Sequence, residues 1–277
     1  MSTNFTRLLI LNPLPRRAVL TALGATALAP TLGVAAPASS WLAYDRRLQR
    51  GLAEAADGRF EPGFERDLIE LNNGFRDSQG RRPLTWDAGL ARTARAHAAD
   101  VAATGRFDHM TAEGFGPAAR VGLLARDLVG AAGENIAMRR NASSAVRPGQ
   151  IHDQWRTSPG HRANLLAPGF SHVGYGVIRR GAQIIAVGAY YELAARLAAP
   201  TPLRVGSVAE IAATLSRATP RILQFSVSEP GDDILTQTYV EGSQVVSLPH
   251  GTWQLRPHLS TGAHRYQVAW GPVFVVD

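Results

Sequence analysis

Three polar stretches in this sequence carry side chains able to do chemistry: Phe107-Asp108-His109, Gly133-Glu134-Asn135-Ile136-Ala137, and Trp155 to Leu166 with His161 in its middle. Two histidines and a glutamate suit a divalent metal. A His₂Glu set with water in the remaining position is a catalytic zinc arrangement, with Zn–N distances near 2.0–2.1 Å. Without a metal, the same groups serve as acid–base partners, because histidine titrates near neutrality. The His-Glu-x-x-His helix of zinc peptidases is absent. The competing reading is structural, since a histidine at a helix end often satisfies backbone carbonyls and a glutamate beside glycine often caps a turn.

Other polar residues lie close by. Ser158 stands before Pro159-Gly160, but the Gly-x-Ser-x-Gly elbow of a serine hydrolase is missing. Asn135 and Asn164 read as braces that bond to backbone. Asp108, Glu113 and Asp153 are candidates for a further acid in the site. His97 falls near the apolar face of a helix and reads as a packed side chain. His172 either flanks the site or begins a strand.

The elements that must position these groups follow from periodicity. A charged helical stretch runs from Trp41 to Asp57. Phe64, Leu68, Ile69, Leu71 and Phe75 define a helix to Asp77. Asp87 caps a second helix, with Leu90, Ala94, Ala98 and Val101 as its stripe and Gly105 as its stop. Pro117–Leu128 reads as helical, Gly130–Asn135 as a turn, and Ser143–Thr157 as a helix, with Pro148-Gly149 a point where it can split. Ser158-Pro159-Gly160 reads as a break. Val173–Arg179 and Gln183–Glu192 read as paired strands turned by Arg180-Gly181-Ala182.

Residues 194–203 read as an Ala/Pro linker. Beyond them, a short helix at Val208–Leu215 precedes strands at Ile222–Ser228, Ile234–Val240, Gln244–Leu248, Thr252–Pro257 and Tyr266–Val276. Turns at about ten-residue spacing suggest a small all-β, sandwich-like domain over 204–277.

Six motifs occur in series: Asn73-x-x-Arg76, Pro83-Leu84-x-Trp86-Asp87, Phe107-x-His109, Gly133-Glu134-Asn135-Ile136-Ala137, Trp155-x-x-Ser158-Pro159-Gly160-His161-Arg162-x-Asn164-Leu165-Leu166, and Phe170-x-x-Val173-Gly174-x-Gly176-Val177. Together they resemble the CAP superfamily (the SCP/PR-1-like domain) in its bacterial form, across residues 64–193. The resemblance implies a three-layer α-β-α sandwich, usually secreted, with a central cleft lined by two histidines and two acids. His109, Glu134 and His161 match three of those places. Ser158, three residues after Trp155, stands where eukaryotic members have the second acid, so the fourth corner is missing.

The start of the chain reads as an export signal. Arg16-Arg17 precedes an Ala/Leu-rich stretch from Ala18 to Ala36, and Ala36-Pro37-Ala38 has a small-x-small cleavage pattern. The paired arginines look like the twin-arginine type. Residues 1–38 are thus expected to be a signal and 39–63 a helical extension, with the product periplasmic or extracellular. Pro30 and the Ala/Thr content argue against a membrane span.

Composition narrows the functions further. The 277 residues include no cysteine, which excludes disulfides and thiolate chemistry. The formal charge is +7 and every cation is arginine, scattered in pairs instead of gathered on one face, which argues against nucleic-acid binding.

Three functions remain. The first is a mostly non-enzymatic secreted domain. Its cleft would bind a small apolar ligand, a lipid, an envelope component or a partner protein, through His109, Glu134, His161, Asn164 and Ser158. This breadth is implied by the resemblance. The second is a hydrolase with zinc or calcium on His109, Glu134 and His161, and metal-activated water. The third is a structural or adhesion role through the C-terminal β domain, where Trp253, Tyr266 and Trp270 are surface candidates, although alternating aromatics usually face the core.

Overall fold

The computed structural model describes residues 38–56, 59–140, 145–222, 224–231, 238–240, 248–262 and 265–277. The export-signal reading, residues 143–144 and most of the Gln244–Leu248 strand lie outside those residues, and the helix expected from Ser143 starts at Pro148, with 145–147 not helical.

The chain begins with α1 (Ala38–Ala55) and α2 (Pro62–Ser78), then a two-residue strand β1 (Thr85–Trp86). Next come α3 (Ala88–Thr104), α4 (Pro117–Leu124), β2 (Leu128–Arg140), α5 (Pro148–Thr157), α6 (Pro159–Leu166), β3 (His172–Arg180) and β4 (Gln183–Arg196). Helix α3 starts as its sequence predicts: Asp87 Oδ1 accepts the Leu90 N–H at 2.9 Å. It stops at Gly105, whose φ of 72° only glycine adopts without strain.

The four strands form one sheet in the order β1-β3-β4-β2, with β3 and β2 antiparallel to β4. Alternation divides the sheet's side chains between two cores. Ile178, Ile185 and Val187 pack with Leu90, Ala94 and Ala98 of α3. Tyr175, Val177 and Ile184 pack on the opposite face with Phe64, Leu68, Trp155 and Leu165 from α2, α5 and α6. The result is a three-layer α-β-α sandwich.

The paired glycines of β3 set the distance between α3 and the sheet. A Cβ on Gly174 would sit 1.9 Å from Ala91 N, and one on Gly176 2.1 Å from Arg95 N. The backbones touch there, and no side chain fits between them.

Residues 130–135 depart from the sequence reading. They are not a turn but the middle of β2, paired along its length with β4. The glycines that suggested a turn mark close approaches instead: a Cβ on Gly130 would meet Glu192 O at 1.9 Å, and one on Gly133 would meet the Phe170 ring at 2.5 Å. The helix expected over Pro117–Leu128 is shorter, since α4 stops at Leu124 and β2 starts at Leu128. The expected break at Ser158-Pro159-Gly160 is a single residue, Ser158, between α5 and α6, because Pro159 is favourable at a helix's first position.

The C-terminal segment forms a second sheet from β5 (Arg204–Val205), β6 (Gln224–Ser228), β7 (Thr238–Val240), β8 (Gly251–Gly262), β9 (Arg265–Val268) and β10 (Val273–Val276), with α7 (Val208–Leu215) between β5 and β6. Its described strands form one sheet. Ile211 and Leu215 of α7 pack against Phe225, Val227, Leu255 and Phe274, giving the apolar cover that a second sheet gives in a sandwich. Val129, Ala195 and Leu197 of the first unit share that core. The expected linker is bound in place, with Leu197 N–H donating to Asp127 O and Thr201 N–H to Arg126 O.

Trp253 is partly buried against this core, Tyr266 stacks on His258, and Trp270 lies under the Arg256 guanidinium at 3.5 Å. Among the described residues no helix is long and apolar enough to cross a membrane.

Candidate functional site

Glu134 is the centre of the site. It lies on β2 with its side chain 3% exposed. One carboxylate oxygen, Oε2, accepts from Arg120 Nη2 at 2.7 Å. The other, Oε1, is 2.8 Å from His109 Nδ1. His97 Nε2 stands 3.6 Å from the same oxygen, beyond hydrogen-bond reach. Burial pushes the Glu134 carboxyl up, but Arg120, His97 and His109 together outweigh it and hold it at about 2. Glu134 is therefore an anion at any ordinary pH.

Arg120 comes from α4 and is fully buried. Besides Glu134 it donates to the carbonyls of His109 (2.9 Å) and Phe115 (3.4 Å) and to the Tyr44 hydroxyl (3.4 Å). It fixes both ends of the loop that carries His109, and the carboxylate that faces His109. The His97 ring is held neutral: burial lowers it to about 4, with the nearby cations adding to the effect and Glu134 opposing it.

An ionised carboxylate at His109 Nδ1 selects the tautomer with the proton on Nδ1. Nε2 then keeps its lone pair. The His109 side chain is 42% exposed, so the dyad has a buried anchoring end and an open end. This is the orienting carboxylate–imidazole arrangement found behind metal-bound histidines.

His161 lies on α6, which is tied to β2 beside Glu134. Asn135 Nδ2 donates to His161 O at 3.0 Å, while Asn164 Nδ2 donates to Glu134 O and to Asn135 Oδ1, both at 2.9 Å. Both asparagines are thus the braces that their residue type suggested. The His161 ring is half-buried and is lowered chiefly by burial. Its Nδ1 is buried without a hydrogen bond.

The remaining candidates go elsewhere. Asp108 pairs with Arg106, Glu113 with Arg47 and Asp153 with Arg156. None of the three supplies the missing fourth corner. Ser158 spends its position joining two helices. His172 begins β3, and Ser171 Oγ lies 2.9 Å from its Nδ1.

The donor set fits a divalent cation in part. Glu134 has both oxygens in contact with side chains, Oε2 with the buried Arg120 and Oε1 with His109. Among the described residues no trio of His, Asp or Glu converges as a ligand group.

Sequence reasoning missed Arg120 and Tyr44, and placed His97 in the core without its neighbour Glu134. The signal for Arg120 was present: it stands in Pro117-Ala-Ala-Arg-Val-Gly-Leu-Leu, a lone cation in an apolar helix. The other motifs are scaffold. Asn73 brackets Leu84 through both its N–H and its carbonyl. The buried Arg76 guanidinium donates to the carbonyls of Arg82, Leu165, Ala167 and Phe170, fastening the end of α6 and the chain that leaves it to the segment before β1.

The model of the Cysteine-rich secretory protein family (CAP) matches residues 69–190. The uncharacterized protein YkwD of Bacillus subtilis (strain 168) is 33% identical over 121 residues, 43% of this chain and 44% of that protein. The uncharacterized membrane protein YlbC of the same organism is 31% identical over 116 residues, 42% of this chain and 32% of that one. An extracellular protein containing a SCP domain from Bacillus anthracis str. Ames aligns at 25% identity with a TM-score of 0.41, over 48% of this chain and 41% of its own. Residues 69–190 are thus similar to the CAP family, and a second β-sheet region follows them. The chain spans less than half the length of the curated relatives it matches.

Proposed function

We propose that this is an exported binding protein whose cleft takes up a small apolar ligand, a lipid, a cell-envelope component or a partner protein, with His109 and His161 as its polar contacts. The observation that carries this reading is the full commitment of Glu134. Its two oxygens face Arg120 and His109, so it neither takes a proton near pH 7 nor ligates a metal directly. The twin-arginine-like start of the chain supports export.

Native mass spectrometry of the protein purified from its own envelope fraction tests the proposal. A bound molecule that is lost in His109→Ala and His161→Ala supports it. Turnover of peptide or ester substrates that those variants abolish overturns it.

A second reading has its own support. His161 Nδ1 is buried without a partner, and Glu134 turns His109 Nε2 outward, so the two imidazoles suit a cation such as zinc. Calorimetric titration with zinc tests this, with micromolar affinity expected and no binding to a folded protein counting against it.

A further inference from the structure

Helix α1 lies outside the family-matched residues 69–190, yet it reaches the site from three directions. Arg47 Nη1 donates to Glu113 Oε1 at 2.8 Å, and its Nε lies 3.1 Å from Asp100 Oδ1 of α3. The Tyr44 ring stacks on Phe115 with centroids 4.5 Å apart and planes 6° apart, while Trp41 meets the same ring edge-on at 4.7 Å. The Tyr44 hydroxyl accepts from Arg120 Nη1, the guanidinium that also holds Glu134.

Glu113 and Phe115 belong to the segment between α3 and α4 that carries His109. That segment has little structure of its own: Thr111 and Phe115 close a small turn, and Asp108 accepts the Met110 N–H. Its apolar anchor, Phe115, is buried between the rings of α1. The Arg47 guanidinium also lies 4.9 Å from the Tyr44 ring centre, so the ion pair and the aromatic stack support one another. The Arg47 pairing holds the Glu113 carboxyl at about 2.

We propose that Tyr44 and Arg47 of α1 are positioning residues of the cleft, holding the 105–116 segment so that His109 stays on Glu134 with its Nε2 toward ligand. The α1 helix would then be a working part of the binding site, added to the CAP-type core. This rests on the reading of His109 as a binding residue, but its first test needs no ligand.

Ring ¹⁵N spectra of His109 and amide hydrogen exchange test it on the intact chain. In Arg47→Gln, exchange of amides 106–116 should rise about tenfold, with amides of β3 and β4 unchanged. His109 should pass from one tautomer to a mixture. Tyr44→Phe, which keeps the ring stack and removes only the hydroxyl, should shift the tautomer with less effect on exchange. With zinc as probe, affinity should weaken about tenfold, as for loss of other outer-shell partners.

Should Arg47→Gln not fold, Glu113→Gln breaks the same pair from the exposed side. A loop that loosens while His109 keeps its single tautomer would overturn the proposal, leaving α1 a merely structural role. So would a loop that does not loosen. Failure of zinc to bind would bear on the metal reading alone.

Discussion

Arg120 Nη2 and Glu134 Oε2 meet at 2.7 Å with both side chains sealed from solvent, and His109 stands on the other oxygen of the same carboxylate. A buried ion pair is weak evidence for added stability, but breaking one is costly, because the charge left behind has neither water nor partner.

Arg120→Met should therefore destabilise the fold by about 3–5 kcal/mol. Arg120→Met combined with Glu134→Gln should recover much of the loss, since no buried charge is stranded. Urea unfolding of the two singles and the double variant reads the difference. Strict additivity would mean that the two residues do not act as a pair.

Acid should unfold the protein through His97 before it reaches Glu134. The folded pKa of His97 is about 4, below its unfolded value of about 6.5. The unfolded chain thus binds the proton first, and stability falls as pH drops from about 6.5 to about 4, by roughly 3 kcal/mol. Glu134, held at about 2 in the fold, adds a second loss as pH falls below its unfolded value of about 4.3. His97→Asn should flatten the curve between pH 6.5 and 4 and leave the lower-pH loss in place. A profile of thermal midpoint against pH for both proteins checks the sign and the window.

Gly174→Ala should cost more than about 3 kcal/mol, because its methyl group would meet the α3 backbone and force helix and sheet apart. Gly149→Ala, in α5 with nothing within 4 Å of the added carbon, should instead be neutral or stabilise by up to about 1 kcal/mol. Thermal melts of the two variants form a matched pair.

These contrasts show where the sequence was readable. The Asp87 cap, the Gly105 stop and the Leu90-Ala94-Ala98 stripe are local signals, and α3 forms where they place it. The Val173-Gly174-x-Gly176-Val177 motif named a strand, and its glycines are explained by the helix above it. Gly130–Asn135 misled because glycine marks both turns and close contacts, and only the neighbours Glu192 and Phe170 tell them apart. His109, Glu134 and His161 were legible as residue types. That Glu134 faces Arg120 was not, because the spacing from α4 to β2 carries no periodic signal and the pairing is a product of packing. The contribution of α1 was hidden for the same reason, as Tyr44 lies 76 positions before Arg120.

Glu134→Gln should separate orientation from ligation. An amide keeps the shape but no longer holds His109 as a charged acceptor. Zinc affinity should then fall about 10–100-fold, as for other outer-shell carboxylates, without vanishing. Calorimetry on His109→Ala and His161→Ala should show complete loss, and loss of the same size in Glu134→Gln would make it a ligand after all.

The central claim is that Glu134 anchors His109 by Nδ1 and leaves Nε2 unbonded to it, and the ring ¹⁵N spectrum of His109, recorded at a pH where the ring is neutral, tests it most directly. The account predicts a single neutral tautomer protonated at Nδ1, turning into a mixture in Glu134→Gln. A wild-type ring protonated at Nε2, or a spectrum that Glu134→Gln leaves unchanged, would contradict it.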